Sequence, residues 1–183
     1  MISKSCLIHH PDTADSAIKA LYIGVKAQYQ NGNLTLRYEV QGNIDKLLIP
    51  GIQPPSEADG LWQHTCFEAF IAVVEEAPYR EFNFSPSGQW AAYSFGDYRV
   101  QKKWQASPAP AIHFARSNHQ LVLTAVISET NLPYNPHNQP YRLGLTAVLE
   151  TNAGEHSYWA LFHPSGKPDF HHRNGFTLSL KLT

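Results

Sequence analysis

Residues 61–95 read LWQHTCFEAFIAVVEEAPYREFNFSPSGQWAAYSF, and their alternation decides the fold. Successive residues of a strand point to opposite faces. Over residues 66–74, Phe67, Ala69, Ile71 and Val73 share one face, while Cys66, Glu68, Phe70 and Ala72 share the other. The first set has the composition of a core, so Glu68 projects from the second face. Over residues 79–85, Phe82 and Phe84 share a face with Arg80, and Glu81, Asn83 and Ser85 share the opposite one with Tyr79. With Phe67 and Phe82 both in the core, Glu68 and Asn83 meet on one concave surface. The position of Trp90 rests on register, because a slip of one residue flips every side chain. A four-residue turn over 85–88 sets Trp90 opposite Asn83 on the polar face. A three-residue turn over 86–88 sets it opposite Phe84, in the core. The sequence favours the longer turn, since Ala91, Tyr93 and Phe95 then continue the core face.

The flanking chain repeats this strand pattern. Asn31-Gly32-Asn33 separates runs 21–30 and 34–41, and Asn-Gly is a strong hairpin signal because both residues tolerate positive φ. Leu34, Leu36, Tyr38 and Val40 alternate cleanly. Residues 3–9 are expected to form a first edge strand and 47–49 a short apolar strand. Residues 12–20 have weak helical character, with Asp12 or Asp15 as its cap. A proline-bearing loop over 51–60 leads into Trp62. A hairpin is expected from 112–116 and 121–128, then a loop over 129–140, strands at 141–150 and 157–162, and a polar loop over 163–175. Phe176, Leu178, Leu180 and Leu182 alternate in a closing strand. About ten short strands with turn signals between them predict an all-β, antiparallel β-sandwich of jelly-roll type, as a single domain over 1–183.

Composition narrows the partners. A net charge of -1 with 16% charged residues leaves no basic face, so nucleic acid is not expected as a partner. No apolar run approaches the roughly 18 residues of a membrane span, so no membrane partner is expected either. The N-terminus lacks the apolar stretch of a signal peptide, which predicts a cytoplasmic protein. Cys6 and Cys66 read as ordinary buried thiols in a reducing compartment.

A face with a Trp ring, an amide and a carboxylate suits sugars. The C–H face of a pyranose stacks on a flat aromatic, and its hydroxyls need planar groups with fixed donor and acceptor directions. The competing reading is structural: Trp90 in the core, Glu68 paired with Arg80, Arg99 or Lys103, and a self-filled face on an interaction domain. His163, Asp169, His171 and His172 cluster within ten residues, a ligand set that suits transition metals. Their spacing matches no HExxH pattern, and adjacent His171 and His172 diverge in extended chain. The loop reads instead as tied down near the pocket rim, with Lys167, Asp169 and Arg173 turned toward hydroxyls or a phosphate. Glycoside hydrolysis needs two carboxyls about 5–10 Å apart. Glu68 with Glu81 or Asp169 could supply them, but paired acids on a sheet are commoner as salt-bridge partners. No GxSxG elbow surrounds Ser85 or Ser87. The expectation is therefore a non-catalytic module, with Arg99, Lys102 and Lys103 a solvated sheet edge.

Three segments carry a family resemblance: Trp62; Phe67-Glu68-Ala69-Phe70-Ile71; and Glu81-Phe82-Asn83-Phe84-Ser85-Pro86-Ser87-Gly88. Together they resemble the DOMON-like superfamily, which includes the family 9 carbohydrate-binding modules. Tyr158-Trp159-Ala160-Leu161 and the run from His163 to His172 are similar to a bacterial DOMON-like subgroup of uncharacterised proteins. The resemblance implies a β-sandwich with a ligand pocket on one face, taking a sugar or haem. Some relatives resemble domains found beside an enzyme of cell-wall sugar-nucleotide reduction, which implies a partner enzyme of sugar metabolism. The sugar-binding modules often clamp the ligand between two tryptophans, and Trp62, Trp104 and Trp159 are the candidates for the second ring. Haem-binding relatives use a Met and a His as axial ligands. The only methionine here is Met1, so a haem or redox module, the alternative reading, would need two of the ten histidines. The leading expectation is a small-molecule or glycan ligand held by Glu68, Asn83 and Trp90, with Trp62 and His163 or Lys167 at the rim, and with no cofactor or metal.

Overall fold

The computed structural model describes residues 2–181, apart from the Ser16 side chain. Met1 and Leu182, which the readings above invoke, lie outside the described residues. The strands are β1 (Ile2–His9), β2 (Tyr22–Gln30), β3 (Asn33–Gln41), β4 (Cys66–Val73), β5 (Tyr79–Phe84), β6 (Trp90–Asp97), β7 (Val100–Lys102), β8 (Ala111–Arg116), β9 (Gln120–Ser128), β10 (Tyr141–Glu150), β11 (His156–Ala160) and β12 (Leu178–Leu180). All pair antiparallel. One sheet runs β1-β2-β3-β9-β8 and the other β7-β6-β5-β4-β10-β11-β1, with β12 beside β10. The all-β sandwich is the fold the alternation predicts.

The hairpin reading holds: Asn31 and Gly32 take φ values of 51° and 73° between paired β2 and β3. The reading of β1 as an edge is corrected. Its residues Ile2 to Leu7 pair with β2, while Ile8 and His9 pair with β11, so the strand crosses from one sheet to the other. Residues 47–49 form no strand. A 3-10 turn at Ile44–Lys46 uses up the approach, and Leu47 makes a single bridge to Thr151. Asp15 caps the short helix α1 (Ser16–Lys19), its Oδ1 accepting from Ala17 N at 2.7 Å and Ile18 N at 3.2 Å. Cys6 is exposed and Cys66 buried, both as free thiols, which corrects the expectation for Cys6: its side chain lies on the outer face of β1. No described helix is long and apolar enough to cross a membrane.

The sandwich core is made by the inward set of each strand. Leu34, Leu36, Tyr38 and Val40 come from one sheet, and Phe67, Ala69, Ile71, Phe82, Phe84, Leu143 and Leu145 from the other. Tyr38 reaches across and donates its hydroxyl proton to the Glu68 backbone carbonyl at 2.6 Å. A second, smaller apolar cluster lies on the outer face of the second sheet, where Phe70, Ala72, Tyr79, Phe95 and Phe176 pack together. Gly144 makes this possible: a Cβ there would stand 2.6 Å from the Phe176 ring.

The turn before β6 overturns the favoured register. Ser85 N donates to Gln89 O at 2.9 Å and Gly88 N to Ser85 O at 3.0 Å, with Gly88 at φ +95°. This is a three-residue loop, residues 86–88, closed by a left-handed glycine, a common hairpin form. Phe84 therefore pairs with Trp90, and the Trp90 ring enters the core with 7% exposure. The loop over 51–60 fixes the same register, since Trp90 N donates to Ser56 O and Trp90 O accepts from Ala58 N. Trp90→Ala is expected to lower the unfolding free energy by about 3–5 kcal/mol, the usual cost of deleting a buried aromatic. Urea unfolding measures it, and a loss below about 0.5 kcal/mol would place the ring on the surface instead.

Candidate functional site

The register of the second sheet builds the site as rows of side chains. Ala91, Asn83, Glu68, Thr146 and Ala160 lie directly opposite one another across β6, β5, β4, β10 and β11. All five are buried and point away from the core. The row is polar in its middle and small at both ends, which makes a trough. The neighbouring row reads Tyr93, Glu81, Phe70 and Gly144. Three irregular segments wall this floor. The 3-10 turn Leu61–Gln63, entered through left-handed Gly60, holds up Trp62 with 51% exposure. The tight turn between β6 and β7 brings Arg99, and the loop before β12 brings Pro168, Phe170 and His171. They enclose a cleft of about 780 Å³ with Glu68 and Glu81 in its lining, a volume in the range of small-molecule sites.

The polar groups of the floor are unevenly satisfied. Glu81 Oε1 accepts from Asn83 Nδ2 at 2.9 Å. Glu68 Oε1, Asn83 Oδ1 and Thr146 Oγ1 make no hydrogen bond of ordinary geometry among the described residues, although the Thr146 hydroxyl lies close enough to favour the ionised Glu68 carboxyl. Burial, and then the neighbouring Glu81 charge, push the Glu68 carboxyl well above the usual carboxylate range. Burial raises Glu81 to about 7, against the pull of the Asn83 hydrogen bond and the Arg99 charge. Burial and the Arg99 charge lower His171 to about 4, so its imidazole is neutral. Tyr79 Oη accepts the Arg99 backbone N–H at 3.1 Å and shares a hydrogen bond with His171 Nδ1 at 2.8 Å. The other ring nitrogen, Nε2, stands 3.6 Å from Glu81 Oε2. Arg99 Nη2 donates to Asp169 Oδ1 at 3.0 Å and Tyr98 Oη to Asp169 Oδ2 at 2.7 Å. Burial disfavours the Asp169 charge, but these two donors hold its carboxyl below the usual range.

Of the residues named from sequence, Glu68 and Trp62 come together in the cleft lining. Asn83 lies beside Glu68 but is fully buried, so it supports the floor and orients Glu81. Trp90 is absent from the cleft for the reason of register given above. His163 turns away: its Nε2 bonds the Ile8 carbonyl at 3.0 Å, and its ring packs edge-on against His10. Lys167 is exposed and outside the lining, although Pro168 beside it is part of the wall. Arg173 stays away from the cleft and donates to Glu76 O at 2.8 Å. Trp104 and Trp159 pack on the core side, so a second tryptophan does not reach the cleft. Glu68 pairs with neither Arg80 nor Arg99: Arg80 donates to Asn131 O and lies over the Trp104 ring.

Sequence reading missed Asp59, Tyr93, Arg99, Tyr158, Phe170 and His171 as lining residues. Tyr93 follows at once from the Phe84–Trp90 pairing, because it then shares the face of Glu81. Arg99 is part of the site and not of the solvated edge, because the turn at positive φ (55°) aims it back at Asp169. Phe170 and His171 belong to a loop without periodicity.

No family model matches the chain, and no curated protein matches it. Solved structures match the fold. A candidate carbohydrate-binding protein from Bacteroides uniformis ATCC 8492 superposes with a TM-score of 0.67 at 13% identity, over 98% of this chain and 86% of that one. A family 9 carbohydrate-binding module from Caldicellulosiruptor kristjanssonii, in complex with glucose, gives 0.62 at 10% identity, over 98% and 84%. The same type of module in complex with cellotriose gives 0.58 at 9% identity, over 98% and 82%. At these identities the likeness establishes a shared β-sandwich fold.

The shifted carboxyl gives a pH signature. The folded state keeps the Glu81 proton up to about pH 7, while the unfolded chain loses it near 4.5. Stability from this group is complete below pH 4.5 and is lost as pH rises through 7. His171 acts oppositely, contributing fully above 6.5 and losing its contribution as pH falls through 4. Glu81→Gln removes the first effect, and with it the Glu81 charge that helps raise Glu68, while leaving His171 in place. The variant is expected to gain about 3 kcal/mol relative to the parent between pH 4 and pH 8, measured by denaturant unfolding. A difference that does not change with pH would contradict the buried, protonated carboxyl.

Proposed function

We propose that the chain is a non-catalytic binding module whose ligand is a carbohydrate or sugar derivative, seated in the cleft over Glu68. The observation that carries this reading is the combination of an exposed Trp62 ring at the mouth with a buried carboxyl floor whose Glu68 Oε1 is unpaired. An aromatic rim takes the C–H face of a sugar ring, and the unpaired oxygen takes a donor from the ring substituents. Tyr93, Tyr158 and Phe170 supply further apolar wall in place of a second tryptophan. Asn83 acts by holding Glu81, and Trp90 acts through the core. The fold likeness to modules solved with glucose and cellotriose supports the same class of ligand.

A glycan array followed by calorimetry on the hits tests the proposal. Trp62→Ala is expected to weaken binding about tenfold, as the loss of one stacking ring implies. Folding should be unaffected because the ring is exposed. Lys167→Ala, outside the cleft, is expected to bind as the parent does. A featureless array, or full affinity in Trp62→Ala, would sink the reading.

A further inference from the structure

We propose that the sugar taken by this cleft carries a free amine, a hexosamine in its ammonium form, with the nitrogen seated against Glu68. This rests on the carbohydrate reading above and names the ligand class within it. Donors and acceptors around Glu68 do not balance once its carboxyl is ionised. In the floor row only Glu68 lines the cleft; its Oε1 is buried without a hydrogen bond of ordinary geometry, as is Asn83 Oδ1 beside it, and the Thr146 hydroxyl is its near neighbour. Once Glu68 is ionised, it and the amide oxygen only accept, the threonine hydroxyl offers one donor, and one of the two Asn83 amide hydrogens is held by Glu81. With the Glu68 proton gone, its carboxylate needs donors from the ligand. A sugar hydroxyl brings one donor and two lone pairs, whereas an ammonium brings three donors and no acceptor. An N-acetyl group brings one donor, no charge and an extra carbonyl oxygen.

Charge points the same way. Asp59, Glu68 and Glu81 line the cleft, and the cationic side chain of its lining, Arg99, is held by Asp169 at 3.0 Å. His171 faces Glu81 as a neutral ring bonded to Tyr79. Cys66 on the strand of Glu68 and Tyr38 beneath it are kept protonated by burial. Tyr93 donates to Asp59 at 2.7 Å and is likewise held neutral, first by burial and then by that bond. Among the described residues, therefore, no cation answers Glu68 from the elements packed against it. Phe70, Tyr158 and Phe170 also line the cleft, and an aromatic face attracts cations. In the free protein burial keeps the Glu68 proton in place. On binding, the ammonium takes over the carboxylate, the O–H bond breaks, and the proton leaves to solvent.

The experiment is calorimetry at about pH 6.5 with glucosamine and its β-linked oligomers, their N-acetylated counterparts and the corresponding glucose series. Two buffers of different ionisation enthalpy count protons. The free-amine series is expected to bind at least about tenfold more tightly than either of the others, releasing close to one proton per site. Glu68→Gln, isosteric with the protonated residue, should stay folded and lose both the preference and the proton release. Equal or tighter binding of the glucose or N-acetylated series would overturn the inference and leave the carbohydrate reading standing. A preference that survives in Glu68→Gln, or that comes without proton release, would also overturn it. Binding of no sugar in any series would remove both.

Discussion

Strand β4 is buried at all eight of its positions, and the rest of the structure depends on how that double burial is met. One face is straightforward: Phe67, Ala69, Ile71 and Val73 fill the sandwich, and Tyr38 pins the strand to the opposite sheet through the Glu68 carbonyl. The other face carries Glu68 and Phe70, and its cover has to come from elsewhere. Phe176 packs over Gly144 where no larger residue fits, Phe170 and His171 follow, and the turn at Leu61–Gln63 rises at the opposite end. A carboxyl under such a cover is costly while ionised and unpaired. The fold keeps it tolerable by protonation and by leaving a cleft above it. The proposed binding face and a second apolar cluster thus share one sheet surface.

The two carboxyls of the floor show how environment separates chemically identical groups. Glu81 has the Asn83 amide and the nearby Arg99 charge, and its shift is bounded at about 7. Glu68 has neither, only the Thr146 hydroxyl, and burial with the Glu81 charge raises its carboxyl well above the usual range. The Arg99–Asp169 pair closes the wall beside them. It joins the β6–β7 turn to the loop before β12, and it also holds Tyr98. Such a pair on a partly open rim adds little to stability; its value here is to fix where the wall stands.

Much of this was legible in the sequence, for a definite reason. Alternation is a local property, so Phe67 against Glu68 and Phe82 against Asn83 could be sorted without knowing any partner strand. The same logic gave the Asn31-Gly32 hairpin and the core face of β10. Trp90 was not sortable, because its face depends on whether Ser85 belongs to the turn or to the ladder. That is settled by Gly88 at positive φ and by pairing to Ser56 and Ala58, some thirty residues away in sequence. His163 and Lys167 read as rim residues because they share a polar loop with Pro168 and His171. The loop is pinned through Ile8, Arg99 and Tyr79, none of which its own sequence discloses.

The central claim is that ligand sits on the outer face of the second sheet, over Glu68, and its most direct test is amide chemical-shift mapping by NMR during titration with a bound glycan. Shifts are predicted at Glu68, Glu81, Phe170 and His171 and at the Trp62 indole, with the face around Arg37 and Thr124 unmoved. Shifts confined to the separate groove beside Tyr134 and Arg80, or spread over the first sheet, would contradict it.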